Sequence, residues 1–144
     1  MAKIRVPFET AEESGVYLDL EVPDQNLIQS FIPREPLPVP DVTATAAYAV
    51  EHPLASKPLS KLLRRGQRVA IITENQFRAA PAHLVLPPIL KMIKAAGAEP
   101  LIVIGTAKVP PPSPSEIEQK LGKEVASSGI PIVCNDITRP EDYI

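Results

Sequence analysis

Arg78 and Lys108 are the residues of this chain best suited to chemistry, and that chemistry is the grip of an anion. A guanidinium and an ammonium that follow neighbouring strands can together hold a carboxylate or a phosphate. Arg78 comes after the apolar run 69–73 and the polar stretch Glu74-Asn75-Gln76-Phe77. Lys108 comes after the apolar run 101–106, through Gly105-Thr106-Ala107. Asn75 or Glu74 can orient Arg78, and Gly105 lets a ligand approach the backbone. The binding set read here is Asn75, Arg78 and Lys108, for a small carboxylate or a nucleotide phosphate. The plainer alternatives stay open: a surface arginine paired with Glu74, and an ordinary turn with a solvated lysine.

Other reactive side chains offer little. His52 and His83 belong to no metal-ligand spacing such as HExxH, and His83 reads as a polar surface or capping residue. Cys134 is the only cysteine, which excludes an internal disulfide. It lies in an apolar run without a basic partner to lower its pKa, so it reads as a small buried hydrophobe. The turn after residues 69–73 has no glycine, so neither a Walker loop nor GxGxxG is present. No residue reads as catalytic and none as a metal ligand.

The elements that must position the set follow from periodicity. Runs 69–73, 101–106 and 130–134 are spaced by roughly thirty residues, the length of a strand-helix-strand unit. Such short apolar runs suit strands buried on both faces of a parallel sheet, where ligands bind beyond the carboxyl ends. Val85, Ile89, Met92, Ile93 and Ala96 form one helical face ended by Gly97, with a kink or late start expected at Pro87 and Pro88. Ser113-Pro114-Ser115-Glu116 spells a capping box, with Ile117, Leu121 and Val125 as the buried stripe.

The fold class is therefore α/β, a Rossmann-like parallel sheet with βαβαβ order over 68–135 and right-handed crossovers. An N-terminal β-hairpin over 1–22 precedes it, with strands at 3–8 and 16–22 and a turn at Glu13, Ser14 and Gly15. A proline-rich connector spans 23–40. Asp41 caps a helix over 42–51 that offers Ala47, Ala49 and Val50 for packing and ends at His52-Pro53; a short helix near 57–65 stops at Gly66. The 144 residues read as one domain. Three parallel strands are few for such a core, so the chain is expected to be part of a longer protein or a truncated relative. Alternatively, the hairpin or a second copy covers the sheet edge.

Composition narrows the partners. The net charge of −2 and the lack of tryptophan give no footprint for nucleic acid. The basic cluster Lys61, Arg64, Arg65 and Arg68 reads as a solvated helix end. No apolar stretch approaches the ~20 residues that span a bilayer, and no signal peptide is evident, so a soluble cytoplasmic protein is expected. Proline is the oddity, at 18 residues, clustered at 33–40 and 110–114 as rigid connectors.

Residues 43–135 resemble the N-terminal domain of the lactate racemase family, the nickel-pincer-dependent 2-hydroxy-acid racemases and epimerases. His52-Pro-Leu-Ala-Ser-Lys-Pro-Leu-Ser-Lys-Leu62 is similar to that family's NPIGS-PLSEL stretch. Ala80-Pro-Ala-His-Leu-Val-Leu-Pro-Pro-Ile-Leu90, Val103-Ile-Gly-Thr106 and Ser115-Glu-Ile-Glu-Gln-Lys-Leu-Gly122 follow in the family's order, and residues 1–22 fit its opening hairpin loosely. The family signature Ser-Asp-x-Thr-Arg-Pro reads Glu74-Asn75-Gln76-Phe77-Arg78-Ala79 here, keeping the arginine. Its Thr-Gly-x-His-Arg reads Ile104-Gly105-Thr106-Ala107-Lys108. Alanine cannot take a proton, so the family's acid-base histidine is missing at Ala107. Asp136-Ile-Thr-Arg-Pro140 spells the first signature almost perfectly, but after the third strand, and reads as coincidence.

The resemblance implies an isomerase that moves a hydride from C2 of lactate to a nickel-pincer nucleotide and back. The family attaches that cofactor through a lysine and histidines beyond the positions this sequence reaches. This chain alone is therefore expected to bind no cofactor and to be non-catalytic. Asn75, Arg78 and Lys108 are expected to hold an anionic 2-hydroxy acid or a nucleotide phosphate. A partner-binding or self-associating domain is the third reading.

Overall fold

Alternating charged and apolar residues at the N-terminus close into an antiparallel ribbon in the computed structural model, which describes residues 1–7, 16–29, 31, 36–136 and 138–139. Strand β1 (Ala2–Pro7) pairs with β2 (Tyr17–Val22), setting Arg5 opposite Asp19 and Lys3 opposite Glu21. Both cross-strand couples form ion pairs, at 3.0 and 3.8 Å, and Arg5 lies 5.7 Å from the centre of the Tyr17 ring. Opposite charges directly across a ribbon select this register over a one-residue slip. The turn expected at Glu13, Ser14 and Gly15 lies outside the described residues. The chain gathers into two compact units, Met1–Pro38 and Val39–Ile144.

The second unit opens with helix α1 (Val42–Glu51), capped as expected: Asp41 Oδ1 accepts from the Ala44 amide at 2.9 Å. Ala47 and Val50 are half-buried, while Ala49 is exposed. Helix α2 is only Leu59–Leu62, shorter than the expected 57–65. Its continuation finds other partners: Leu63 is extended, the Arg64 amide donates to Gln67 Oε1 at 3.0 Å, and the Gly66 amide to the Gly97 carbonyl at 2.8 Å. The Glu51 carboxylate caps α2, taking the Ser60 amide at 2.9 Å and its hydroxyl at 2.6 Å.

Strands β3 (Arg68–Glu74), β4 (Glu99–Gly105) and β5 (Ile132–Cys134) form a parallel sheet in the order β3-β4-β5. Helix α3 (Ala82–Ala95) links the first pair; α4 (Pro114–Leu121) and α5 (Lys123–Ala126) link the second. The capping box at Ser113 and Glu116 is complete, as its spelling requires. Gly122 breaks the stripe into two helices at φ +82°, and a Cβ there would come within 3.1 Å of the His83 Cβ.

The core joins Leu86 and Leu90 of α3, Leu121 and Val125 to Ile102 and Ile104, with Ile71, Ile132 and Cys134 packed on it. These strand residues share one face, because they alternate along their strands. The opposite face is open: Ile72 is 78% exposed and Val133 49%. Strands buried on both faces were expected, so this is a correction. A sheet ordered in sequence, with crossovers of one hand, carries every connecting helix on the same side.

Helix α3 corrects two further expectations. Its buried residues are Ala82, Leu86, Leu90 and Ile93. Of the expected face only Ile93 is among them; Val85, Ile89, Met92 and Ala96 are half-buried. The helix has a second neighbour, α1, which accounts for a second apolar stripe. Pro87 and Pro88 lie inside the helix and do not delay it. Pro88 has no N–H for the Leu84 carbonyl. The Thr43 hydroxyl of α1 donates to that carbonyl instead, at 3.1 Å. Thr43→Val should therefore cost about 1 kcal/mol in chemical denaturation, and markedly less in a Pro88→Ala background, where the new amide serves Leu84.

Candidate functional site

The pairing of Glu74 with Gly105 and of Ile104 with Cys134 makes the three strands end together. Turns beginning at Asn75, Thr106 and Asn135 therefore leave the sheet side by side at its carboxyl edge. The second and third are joined: the Thr106 amide donates to Asn135 Oδ1 at 2.7 Å, and the Thr106 hydroxyl to the Asn135 carbonyl at 2.6 Å. Thr106 is wholly buried. Asn135 escaped the sequence reading, because its partner lies 29 residues away and no local spacing connects them.

Asn75 builds the first turn. Its Oδ1 accepts from the Phe77 amide at 3.1 Å and its carbonyl from the Arg78 amide at 3.3 Å. A short side-chain amide bonded two residues ahead mimics a backbone turn. Asn75 thus places Arg78 through the main chain. Gln76 Oε1 is buried with no donor among the described residues. Such an acceptor costs about 1–3 kcal/mol, which the rest of the turn must offset.

Glu74 does not pair with Arg78. Its Oε1 lies 2.5 Å from Nζ of Lys120 on α4, and the same ammonium donates to the Arg78 carbonyl at 2.7 Å. The Lys120 side chain is 5% exposed and that of Glu74 41%. The bond from Lys120 holds the Glu74 carboxyl below its ordinary range. The sequence reading does not single out Lys120, and no signal there marks it for burial.

With Glu74 occupied, the Arg78 guanidinium is exposed and has no partner among the described residues; the same holds for the Lys108 ammonium. Both follow adjacent strands whose ends are paired. Ala107, beside Lys108, has φ +55°, a left-handed conformation that costs a non-glycine residue roughly 1–2 kcal/mol. The chain thus carries one cation, without a partner among the described residues, after each of two adjacent strands. Ala107, which the resemblance sets at a histidine position, has no side chain that can take a proton.

The remaining candidates lie elsewhere. His52 donates from Nδ1 to the Tyr48 carbonyl at 2.9 Å and stacks on the Tyr48 ring at 4.0 Å. His83 is exposed at the start of α3 against Gly122. Among the described residues no three His, Cys, Asp or Glu gather as metal ligands. Burial pushes the half-buried Cys134 thiol up, away from the thiolate a metal would bind. These donors do not fit a nickel group. No helix of the described residues is long and apolar enough to cross a membrane. A concavity of about 500 Å³, lined by Thr43, Pro88, Leu90, Lys91, Val125 and Ile130, sits on the helix side, away from the strand ends.

The turn after β5 repeats the first in form. Asp136 Oδ1 accepts from the Thr138 amide at 2.9 Å and its hydroxyl at 2.7 Å, and the Arg139 amide donates to the Asp136 carbonyl at 3.0 Å. The stretch read as coincidence in sequence thus shares the hydrogen-bond pattern of Asn75–Arg78; Ile137 and Pro140 lie outside the described residues.

Among curated proteins none matches the chain. Among solved structures, the lactate racemase apoprotein from Thermoanaerobacterium thermosaccharolyticum is similar, with a TM-score of 0.73 over 98% of this chain. At 23% identity that likeness shows the fold. The chain spans only 31% of the length of that protein. Residues 14–143 match the family described as the lactate racemase N-terminal domain. With a family match over nearly its whole length, and a fold shared with a lactate racemase, this chain belongs to the lactate racemase N-terminal domain family.

Proposed function

We propose that this chain is the anion-holding domain of a lactate-racemase-type 2-hydroxy-acid isomerase acting in the cytoplasm, and that it performs no proton transfer itself. Arg78 and Lys108 hold a carboxylate or phosphate at the carboxyl edge, and Asn75 shapes the turn that presents Arg78. The observation that carries this reading is the pair of exposed cations, neither with a partner among the described residues, after two strands that end in register. Ala107 removes the family's acid-base group from this rim. Hydride chemistry on a nickel-pincer nucleotide falls to residues outside this chain, and a lone unpaired thiol is in keeping with a reducing compartment.

Calorimetric titration tests the reading. Wild type should bind inorganic sulfate and L-lactate, and Arg78→Gln should weaken both by about tenfold while leaving the unfolding midpoint unchanged. Equal affinity in the variant, or racemisation of lactate by the isolated chain, would overturn it. The open face of the sheet at Ile72 and Val133 favours a second reading, a domain that binds a protein partner. That reading fails if the chain sediments as a monomer at micromolar concentration and retains nothing from its native host.

A further inference from the structure

We propose that Lys120 is a positioning residue for this anion site: its buried ammonium clamps both ends of the Arg78 turn to helix α4. The inference rests on the anion-site reading and adds the residue that sets where the guanidinium stands. An ammonium is among the groups least often buried, and burying it is costly unless it is paired and fully bonded. Stability alone does not call for one here, since an apolar side chain of similar volume usually serves a core as well. What the ammonium adds is two directed bonds. One goes to Glu74 Oε1 at the end of β3, the other to the Arg78 carbonyl at the far end of the turn.

Between those two points the hydrogen bonds are local, from the Phe77 and Arg78 amides back to Asn75. A turn closed only on itself can pivot on the strand end. Tied at its first and last residues to one point on α4, it cannot. The anchor is itself fixed: Leu121, the next residue, is wholly buried, and the capping box at Ser113 and Glu116 holds the start of the helix. Directional binding groups lose much of their effect when displaced by even an ångström, so the clamp acts on affinity through Arg78 without touching the anion.

The test compares the full chain as wild type, Lys120→Met, Lys120→Arg and Arg78→Gln, titrated with sodium sulfate. Lys120→Met should bind sulfate about tenfold more weakly, and Lys120→Arg should recover affinity to within about threefold, because it keeps charge and donors. Amide exchange at 76–80 should quicken about tenfold in Lys120→Met, while the Ile102 and Ile104 amides keep their protection. A merely structural lysine would move all of these amides together, and that outcome overturns the proposal. So does wild-type affinity in Lys120→Met. If Lys120→Met does not fold, Lys120→Gln replaces it: its side chain is shorter and uncharged, which weakens both bonds of the clamp, and about threefold weaker binding is expected, with unchanged binding overturning the proposal. Unchanged sulfate binding in Arg78→Gln, or none in wild type, removes the anion-site reading instead; the exchange measurement then decides the clamp by itself.

Discussion

Ile102→Ala should cost about 3–5 kcal/mol and Ile72→Ala less than about 1 kcal/mol, although both isoleucines sit mid-strand in one small sheet. Ile102 is fully enclosed by the helices; its truncation leaves a cavity among Leu86, Leu90 and Leu121 that packed neighbours close only in part. Ile72 is 78% exposed and leaves nothing behind but water. Against a typical domain stability of about 5–15 kcal/mol the first change threatens folding and the second does not. Urea unfolding of both variants checks this through the midpoint at constant m. Similar costs for the two would mean that the face bearing Ile72 is covered in solution.

The second large effect is an asymmetry within the Lys120–Glu74 pair. Glu74→Ala should cost about 3–4 kcal/mol, and Lys120→Met about 1 kcal/mol. Removing the carboxylate strands an ammonium that is 5% exposed and cannot be rehydrated, whereas removing the ammonium leaves a carboxylate that is 41% exposed and can be. Equal costs would show that the lysine reaches water. Acidity probes the same pair. The Glu74 carboxyl titrates lower in the folded chain than in the unfolded chain, where its ordinary value is 4.5. Its contribution is therefore full above that value and disappears as pH falls through the folded one. The stability gap between wild type and Glu74→Gln should close in acid. Glu51, Glu116 and Asp136, each held low by hydrogen bonds at a cap or turn, drain stability in the same direction.

What was legible in the sequence was local. The Asp41 cap and the Ser113–Glu116 box depend on neighbours within one turn, and both form as spelled. Strand order follows from the spacing of the apolar runs. What was illegible depended on partners far along the chain. Pro87 and Pro88 looked like a break because the hydroxyl that answers the freed carbonyl comes from Thr43, 41 residues away. Lys120 went unmarked because its carboxylate partner is 46 residues away. The buried face of α3 was misplaced because a helix between two neighbours carries two apolar stripes, and periodicity does not say which is deeper. At the candidate site, Arg78 and Lys108 were chosen from residue types after each strand, whereas no local pattern announced the Thr106–Asn135 join between the turns after β4 and β5.

The one-sided sheet has a consequence for how related sequences will vary. Positions 70, 72 and 133 alternate with core positions along the same strands yet are exposed and lie outside the core cluster of the described residues. In relatives that leave this surface wet, those positions should drift toward threonine, lysine and glutamate while 71, 102 and 104 stay aliphatic. If they instead stay aliphatic in step with the core, some further layer travels with the domain, and the substitution record alone would reveal it.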